Sequence, residues 1–300
     1  MRSINSILNL LVKKKPLLYL VFVFAISSCE DVSSKPIPGL ATKEGGLICK
    51  DIYLSNDDGK INTNSFIYGD QIAINFNNIK GFKKENGNTF PGLRLLILDK
   101  KKDTIMFNPD LYSDNTNGFD LSPLLLFSKV MVANPIHSDN SYKAYVHVWD
   151  KKGKGTLDTS LEFKVIPDPK IATQTNGVSF DEIYLYSQKK GSSIINNLVP
   201  TNEDIYLVIQ GLQGFVKENG KSSVGVRIEV TDADGNIILK EEDLTKDAPL
   251  DASELEEIIA PSFIITKGKV QNPIVFSVRI WDKKSDHEIK ANVKLNVENN

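Results

Sequence analysis

The feature that most constrains the fold of this chain is an internal duplication. Lys80-Gly81-Phe82-Lys83-Lys84-Glu85-Asn86-Gly87 returns as Gln213-Gly214-Phe215-Val216-Lys217-Glu218-Asn219-Gly220, an offset of 133. Gly92-Leu93-Arg94 returns as Gly225-Val226-Arg227, and Asp110-Leu111 as Asp243-Leu244, at the same offset. Val148-Trp149-Asp150-Lys151-Lys152 returns as Ile280-Trp281-Asp282-Lys283-Lys284 at 132, and Ile52-Tyr53-Leu54 as Ile183-Tyr184-Leu185 at 131. Five matches in one order with so little drift define two copies of one module, over residues 47–166 and 178–298. Two units of this length are two domains, because a solenoid needs many short repeats. Residues 167–177 hold Pro167, Pro169 and Gly177 among polar residues and are expected to be a linker.

Within each copy, short runs rich in Val, Ile, Tyr and Phe alternate with Gly, Asn, Asp and Lys clusters, which is the pattern of strands and turns. In copy 2 the expected strands are Glu182–Tyr186, Ile205–Gln210, Gly225–Asp232, Ile237–Lys240, Ile274–Asp282 and Lys290–Val297. Asp234-Gly235 marks a hairpin turn. Asp251-Ala252-Ser253-Glu254 before Leu255 reads as a capped helix start, and Asp120 to Leu124 repeats the theme in copy 1, with a helix expected over Ser122–Met131. The expected fold class is therefore mainly β: two duplicated immunoglobulin-like β-sandwich domains, each with one short helix.

The N-terminus carries a different signal. Arg2 and Lys13-Lys14-Lys15 precede an apolar run, residues 17–26, about 15 Å long as a helix and too short to span a bilayer. Residues 1–28 read as a signal peptide. Ile26-Ser27-Ser28-Cys29 resembles the lipobox of bacterial lipoproteins, which implies cleavage before Cys29 and acylation of its thiol. Residues 29–46, rich in Ser, Pro, Lys and Gly, are expected to form a lipidated tether. Glu30-Asp31 resembles the acidic surface-export signal of Bacteroidota lipoproteins, which implies outer-membrane display on the cell surface rather than on the periplasmic side. The whole mature chain is similar to the envelope lipoproteins of that phylum that string together immunoglobulin-like modules. The resemblance implies the architecture and the anchor and transfers no functional residue. The Cys-Trp-Cys core of antibody domains is absent.

Composition narrows the function. Of 36 basic residues the signal peptide removes four, leaving 32 against 38 acids, or about −6, which gives no electrostatic reason to bind nucleic acid. With Cys29 lipidated, Cys49 has no intrachain partner and reads as a small apolar strand residue. His137, His147 and His287 are isolated from one another and from acid clusters and read as surface residues, so neither a metal nor a cofactor is expected. Asp232-Ala233-Asp234-Gly235-Asn236 fails the calcium-loop spacing, because Val occupies position 230. The two Trp-Asp-Lys-Lys motifs read as turns with solvated charge, and the tryptophans as packing residues. Asp103-Thr104-Ile105, in a charged turn, resembles a Bacteroidota O-glycosylation motif and makes Thr104 a candidate acceptor.

The candidate binding face follows from strand alternation. Leu93, Leu95 and Ile97 should face the core with Ala144, Val146 and Val148, leaving Arg94, Leu96, Leu98, Tyr145, His147 and Trp149 together outside. At the positions of Leu96, Leu98, Tyr145 and His147, copy 2 has Glu229, Thr231, Ser277 and Arg279, an ordinary solvated face. An apolar helix needs a surface to pack on, so the copy-1 helix is expected to cover this face; uncovered, the face is a contact site. The function expected is that of a non-catalytic, lipid-anchored envelope protein that binds or positions a partner. The alternative is a carbohydrate-binding accessory lipoprotein of a glycan-uptake system.

Overall fold

The computed structural model describes residues 36–266 and 270–298. The signal segment and Cys29 lie outside them. Module 1 is built from β1 (Leu40–Gly45), β2 (Ile48–Asn56), β3 (Gln71–Lys80), β4 (Pro91–Asp99), β5 (Thr104–Asn108), β6 (Leu125–Met131), β7 (Ser141–Asp150) and β8 (Thr156–Ile166). One sheet runs β1-β8-β7-β4-β5; the other contains β2, β3 and β6. Module 2 repeats this with β9 (Ile171–Asn176), β10 (Glu182–Ser187), β11 (Asp204–Gln210), β12 (Val224–Thr231), β13 (Ile237–Glu241), β14 (Ser262–Ile264), β15 (Ile274–Asp282) and β16 (Glu288–Val297). Its sheets run β9-β16-β15-β12-β13, and β10-β11 with β14.

Strict alternation makes the sandwich. In β4, Leu93, Leu95 and Ile97 are buried, and in β7 so are Ala144, Val146 and Val148. They meet Leu54, Ile72, Ile74 and Phe76 of the opposite sheet in one apolar core. Module 2 packs Val226, Ile228 and Val230 with Phe276, Val278 and Ile280 against Leu185, Leu207 and Ile209. Burying period-2 apolar sets on facing sheets is what stabilises each module, at about 25 cal/mol per Å² of apolar surface.

Three expectations change. The copy-2 helix is present as α1 (Ala252–Glu257), capped by Asp251, whose carboxylate accepts from the backbone N–H groups of Ser253 and Glu254. The copy-1 segment is not a helix: its Leu125–Met131 stretch is β6, paired with β3. Leu126, Ser128 and Val130 point inward, and Leu125, Phe127 and Met131 outward. Because both faces of this strand carry apolar residues, its sequence mimics an all-round apolar helix. In copy 2 the equivalent strand is split into Ile258–Ile259 and Ser262–Ile264 around Ala260-Pro261.

The tether and linker also shrink. Leu40–Gly45 pairs with β8, and Ile171–Asn176 with β16, as equivalent edge strands. The modules therefore begin before residues 47 and 178, and only residues 167–170 separate β8 from β9.

Candidate functional site

The repeated motifs converge on one structural clasp at the end of each sandwich. Gly81 and Gly214, at φ +100 and +108, lie so close to the backbone of Gly46 and Gly177 that a Cβ would meet a carbonyl oxygen at 2.3 Å. Asn86-Gly87 and Asn219-Gly220, all at positive φ, turn the chain back. Asp150 is buried and accepts from the N–H groups of Lys83 at 2.7 Å and Lys152 at 2.9 Å. Asp282 does the same with Val216 at 2.7 Å and Lys284 at 2.8 Å. Lys151 and Lys283 each reach an aspartate, Asp110 or Asp243, at 2.6 Å. Lys152 and Lys284 bridge back to Glu85 and Glu218. The Trp-Asp-Lys-Lys motif is thus not solvated turn charge. Its aspartate is a buried acceptor for two backbone donors that have no other partner.

Asp243 sits at the centre of the module-2 clasp. Burial pulls its carboxyl upward, but the Lys283 ammonium, the Thr245 hydroxyl and the N–H groups of Val226 and Thr245 outweigh it and hold the group well below the usual range. Its folded pKa is therefore below the unfolded value of about 3.9, so its contribution is present above that value and lost as pH falls through the folded one. Asp243→Asn is expected to flatten the acid limb of the urea-midpoint-versus-pH curve below about pH 4. An unchanged acid limb would assign the acid sensitivity to other carboxylates.

Trp149 and Trp281 lie on the outer face rather than between the sheets. Each indole rests on a glycine of the neighbouring strand: a Cβ on Gly92 or Gly225 would come within 2.1 Å of the ring. Each indole packs on its neighbouring strand with the glycine as its bed, not inside the sandwich core.

The predicted outer face is assembled, and among the described residues no helix covers it. Cross-strand register places Arg94 opposite His147 and Leu96 opposite Tyr145. Tyr145 is 40% exposed, and Leu96, Leu98, His147 and Trp149 are half-buried. Phe107, which the sequence reading passed over, continues the apolar row from β5 beside Leu96 and is 56% exposed. The row Phe107–Leu96–Tyr145–Ser160 has its equivalent in Lys240–Glu229–Ser277–Asn292 of module 2. There Arg227, Glu229, Lys240 and Glu242 form an ion-pair network. Two concavities flank the apolar row of module 1. One, of about 510 Å³, is lined by Leu98, Lys143, Tyr145 and Glu162. The other, of about 450 Å³, is lined by Arg94, His147, Trp149, Gly153, Lys154 and Gly155.

The remaining candidates resolve individually. His147 pairs with Asp158 at 2.7 Å and lies offset-stacked on Trp149. His137 is a surface residue near Glu182, and His287 hydrogen-bonds the carbonyl of Gly214. Among the described residues no group of three His, Cys, Asp or Glu side chains is arranged to hold a metal ion. Asp232 accepts from the N–H groups of Asp234 and Asn236 and so shapes the hairpin turn. Thr104 begins β5, just past the expected turn, and is exposed. Cys49 is half-buried against the module-1 core, and burial, opposed by backbone hydrogen bonds, pushes its thiol up.

The two modules meet through a polar and aromatic junction. Glu182, only 3% exposed, accepts from the N–H of Ser138 at 2.8 Å and from its hydroxyl at 2.6 Å. Tyr68 and Tyr184 pack with ring centroids 5.4 Å apart, and the Tyr68 hydroxyl reaches Gln210. Asp168, buried in the joint, caps Lys170 and Ile171.

The chain is thus a duplicated β-sandwich protein. No known family pattern and no curated protein matches it. Among solved structures, the C-terminal domain of wzt is 11% identical over 43% of this chain and 79% of that one, with a TM-score of 0.27. Three N-terminal domains of the bacteriophage RB49 Highly Immunogenic Outer Capsid protein are 10% identical over 86% of this chain and 59% of theirs, with a TM-score of 0.21. Trypsin-activated alpha-2-macroglobulin from Escherichia coli is 10% identical over 85% of this chain and 17% of that one, with a TM-score of 0.24. Scores of this size establish neither a family nor a function.

Proposed function

We propose that this chain is a non-catalytic, lipid-anchored protein of the cell envelope that binds or positions a partner through the outer sheet face of module 1. The observation that carries this reading is the asymmetry between the copies. The same scaffold positions hold Phe107, Leu96 and Tyr145 in module 1 and Lys240, Glu229 and Ser277 in module 2. An apolar row left open to water on one copy of a duplicated scaffold is a departure from the solvated face of the other, and contact removes that row from water. The test is binding of the full mature chain to immobilised envelope proteins and glycans. Tyr145→Ala should weaken capture at least tenfold while leaving the melting temperature nearly unchanged. Capture unaffected by that change would place the contact elsewhere.

The anchor is the other half of the proposal and rests on the apolar run and Ile26-Ser27-Ser28-Cys29. Cys29→Ser is expected to abolish fatty-acid labelling and leave the chain unprocessed or soluble. Several acyl chains, at about 0.8 kcal/mol per buried methylene, hold a protein that one chain does not. Full labelling of the variant would remove the anchor from the proposal.

A carbohydrate partner is favoured by one specific feature. Trp149 lies along the sheet on Gly92 and lines the 450 Å³ concavity. A broad, fixed indole face suits the apolar face of a sugar ring.

A further inference from the structure

We infer that the concavity beside Trp149 takes a carboxylate-bearing sugar, a uronic acid within a glycan, with Arg94 as the group that reads the carboxylate. The inference rests on the carbohydrate reading above and names its ligand class. Module 2 shows what an arginine at this place binds. Arg227, the counterpart of Arg94, holds Glu229 at 2.6 Å and Glu242 at 3.4 Å. In module 1 those two carboxylate positions are Leu96 and Pro109. Arg94 is exposed and, among the described residues, makes no ion pair. Its guanidinium fork is therefore free for a bidentate carboxylate from outside.

The space for such a ligand also distinguishes the copies. The turn after Trp149 carries Gly153 and Gly155 on the wall of the concavity. The corresponding turn of module 2 places His287 where Gly155 stands, with its ring against Gly177. The neighbour on the indole differs in kind: the Arg279 guanidinium lies 5.0 Å from the Trp281 ring centre, where module 1 stacks the His147 ring 5.6 Å from that of Trp149. In module 1, His147 replaces that arginine and is itself engaged by Asp158. Lys154 adds a second cation at the rim. The two carboxylates nearby are already engaged, Asp150 by two backbone N–H groups and Asp158 by His147, so neither competes for Arg94. An indole platform beside an unpaired guanidinium matches a pyranose that carries a carboxylate.

The test is titration of the full mature chain with a uronic-acid hexasaccharide, the same oligosaccharide after reduction of its carboxyl groups, and an oligoglutamate peptide. The wild type should bind the acidic sugar at least tenfold more tightly than its reduced form. Arg94→Gln should erase that difference. Leu96→Glu, which rebuilds the intramolecular pair of module 2, should weaken binding of the acidic sugar to a similar degree with an unchanged melting temperature. Equal binding of acidic and reduced sugars by the wild type would overturn the carboxylate assignment and leave the carbohydrate reading standing. Binding of the peptide as tightly as the acidic sugar, or of neither sugar, would overturn the ligand class together with that reading.

Discussion

Asp282→Ala is expected to unfold module 2 at a melting temperature on the order of 10 °C below that of the wild type. The carboxylate is 2% exposed and is the acceptor for the N–H groups of Val216 and Lys284. Truncation takes the acceptor away from both part-buried N–H groups, at up to about 1–3 kcal/mol each, against a total stability of roughly 5–15 kcal/mol. It also frees the loop that carries Val216 from the strand that carries Trp281. Asp282→Asn keeps one acceptor oxygen and should fall between the two. Asp234→Ala, in the exposed hairpin turn, is the control and should change little. Asp282→Ala with wild-type stability would show that water replaces the carboxylate and that the clasp is dispensable.

Removing Glu182 should loosen the junction between the modules. Glu182→Ala strands the N–H and hydroxyl of Ser138, and should broaden the distance distribution between spin labels placed on the two modules, and speed hydrogen exchange around Tyr68. Glu182→Gln keeps an acceptor for the Ser138 N–H and should keep the junction. The pH dependence separates charge from geometry. Burial pushes the Glu182 carboxyl up, against the opposing hydrogen bonds of Ser138 and the nearby His137. The aromatic groups that face it are Tyr68, Tyr142 and Tyr184, the last pushed up to about 12, chiefly by burial. With its folded pKa above the unfolded value of about 4.3, ionised Glu182 weighs against the fold at neutral pH. That penalty is relieved as pH falls through the folded value. Glu182→Gln should therefore be at least as stable as the wild type at pH 7, and the gap should close on acidification. A gap that widened with acid would reverse the sign of the Glu182 contribution.

Much of the fold was legible because duplication and alternation are both written into single residues. The copy-2 strands fall within two residues of their expected ends, and Ile274–Asp282 matches throughout. The capped helix at Asp251 was legible from its side chain alone. The copy-1 helix was not, because Leu125, Phe127 and Met131 put apolar residues on the solvent side of β6 and erase the two-residue period. The edge strands β1 and β9 were missed because their outward positions are polar and only one residue of β9 is buried. The duplication itself marks them: Pro36-Ile37-Pro38-Gly39-Leu40-Ala41-Thr42 matches Pro167-Asp168-Pro169-Lys170-Ile171-Ala172-Thr173 at an offset of 131. The outer face was predictable from period 2, whereas Phe107 entered only through the register of β5 on β4. The clasp was hidden because a buried aspartate and a solvated one look alike in sequence, and only tertiary contacts tell them apart.

The strand Leu40–Gly45 sets how far the protein can search. Had residues 29–46 all been free, an anchor at Cys29 would have allowed a leash of up to about 60 Å. Because β1 is stitched to β8 from Leu40 onward, the leash proposed here is at most about 40 Å long. Module 1 is also the module nearer the proposed anchor in sequence, and only residues 167–170 join it to the second. With the proposed anchor, the concavity beside Trp149 would be confined to a thin shell next to the bilayer, where the local concentration of anything displayed on the same membrane is far above its bulk value.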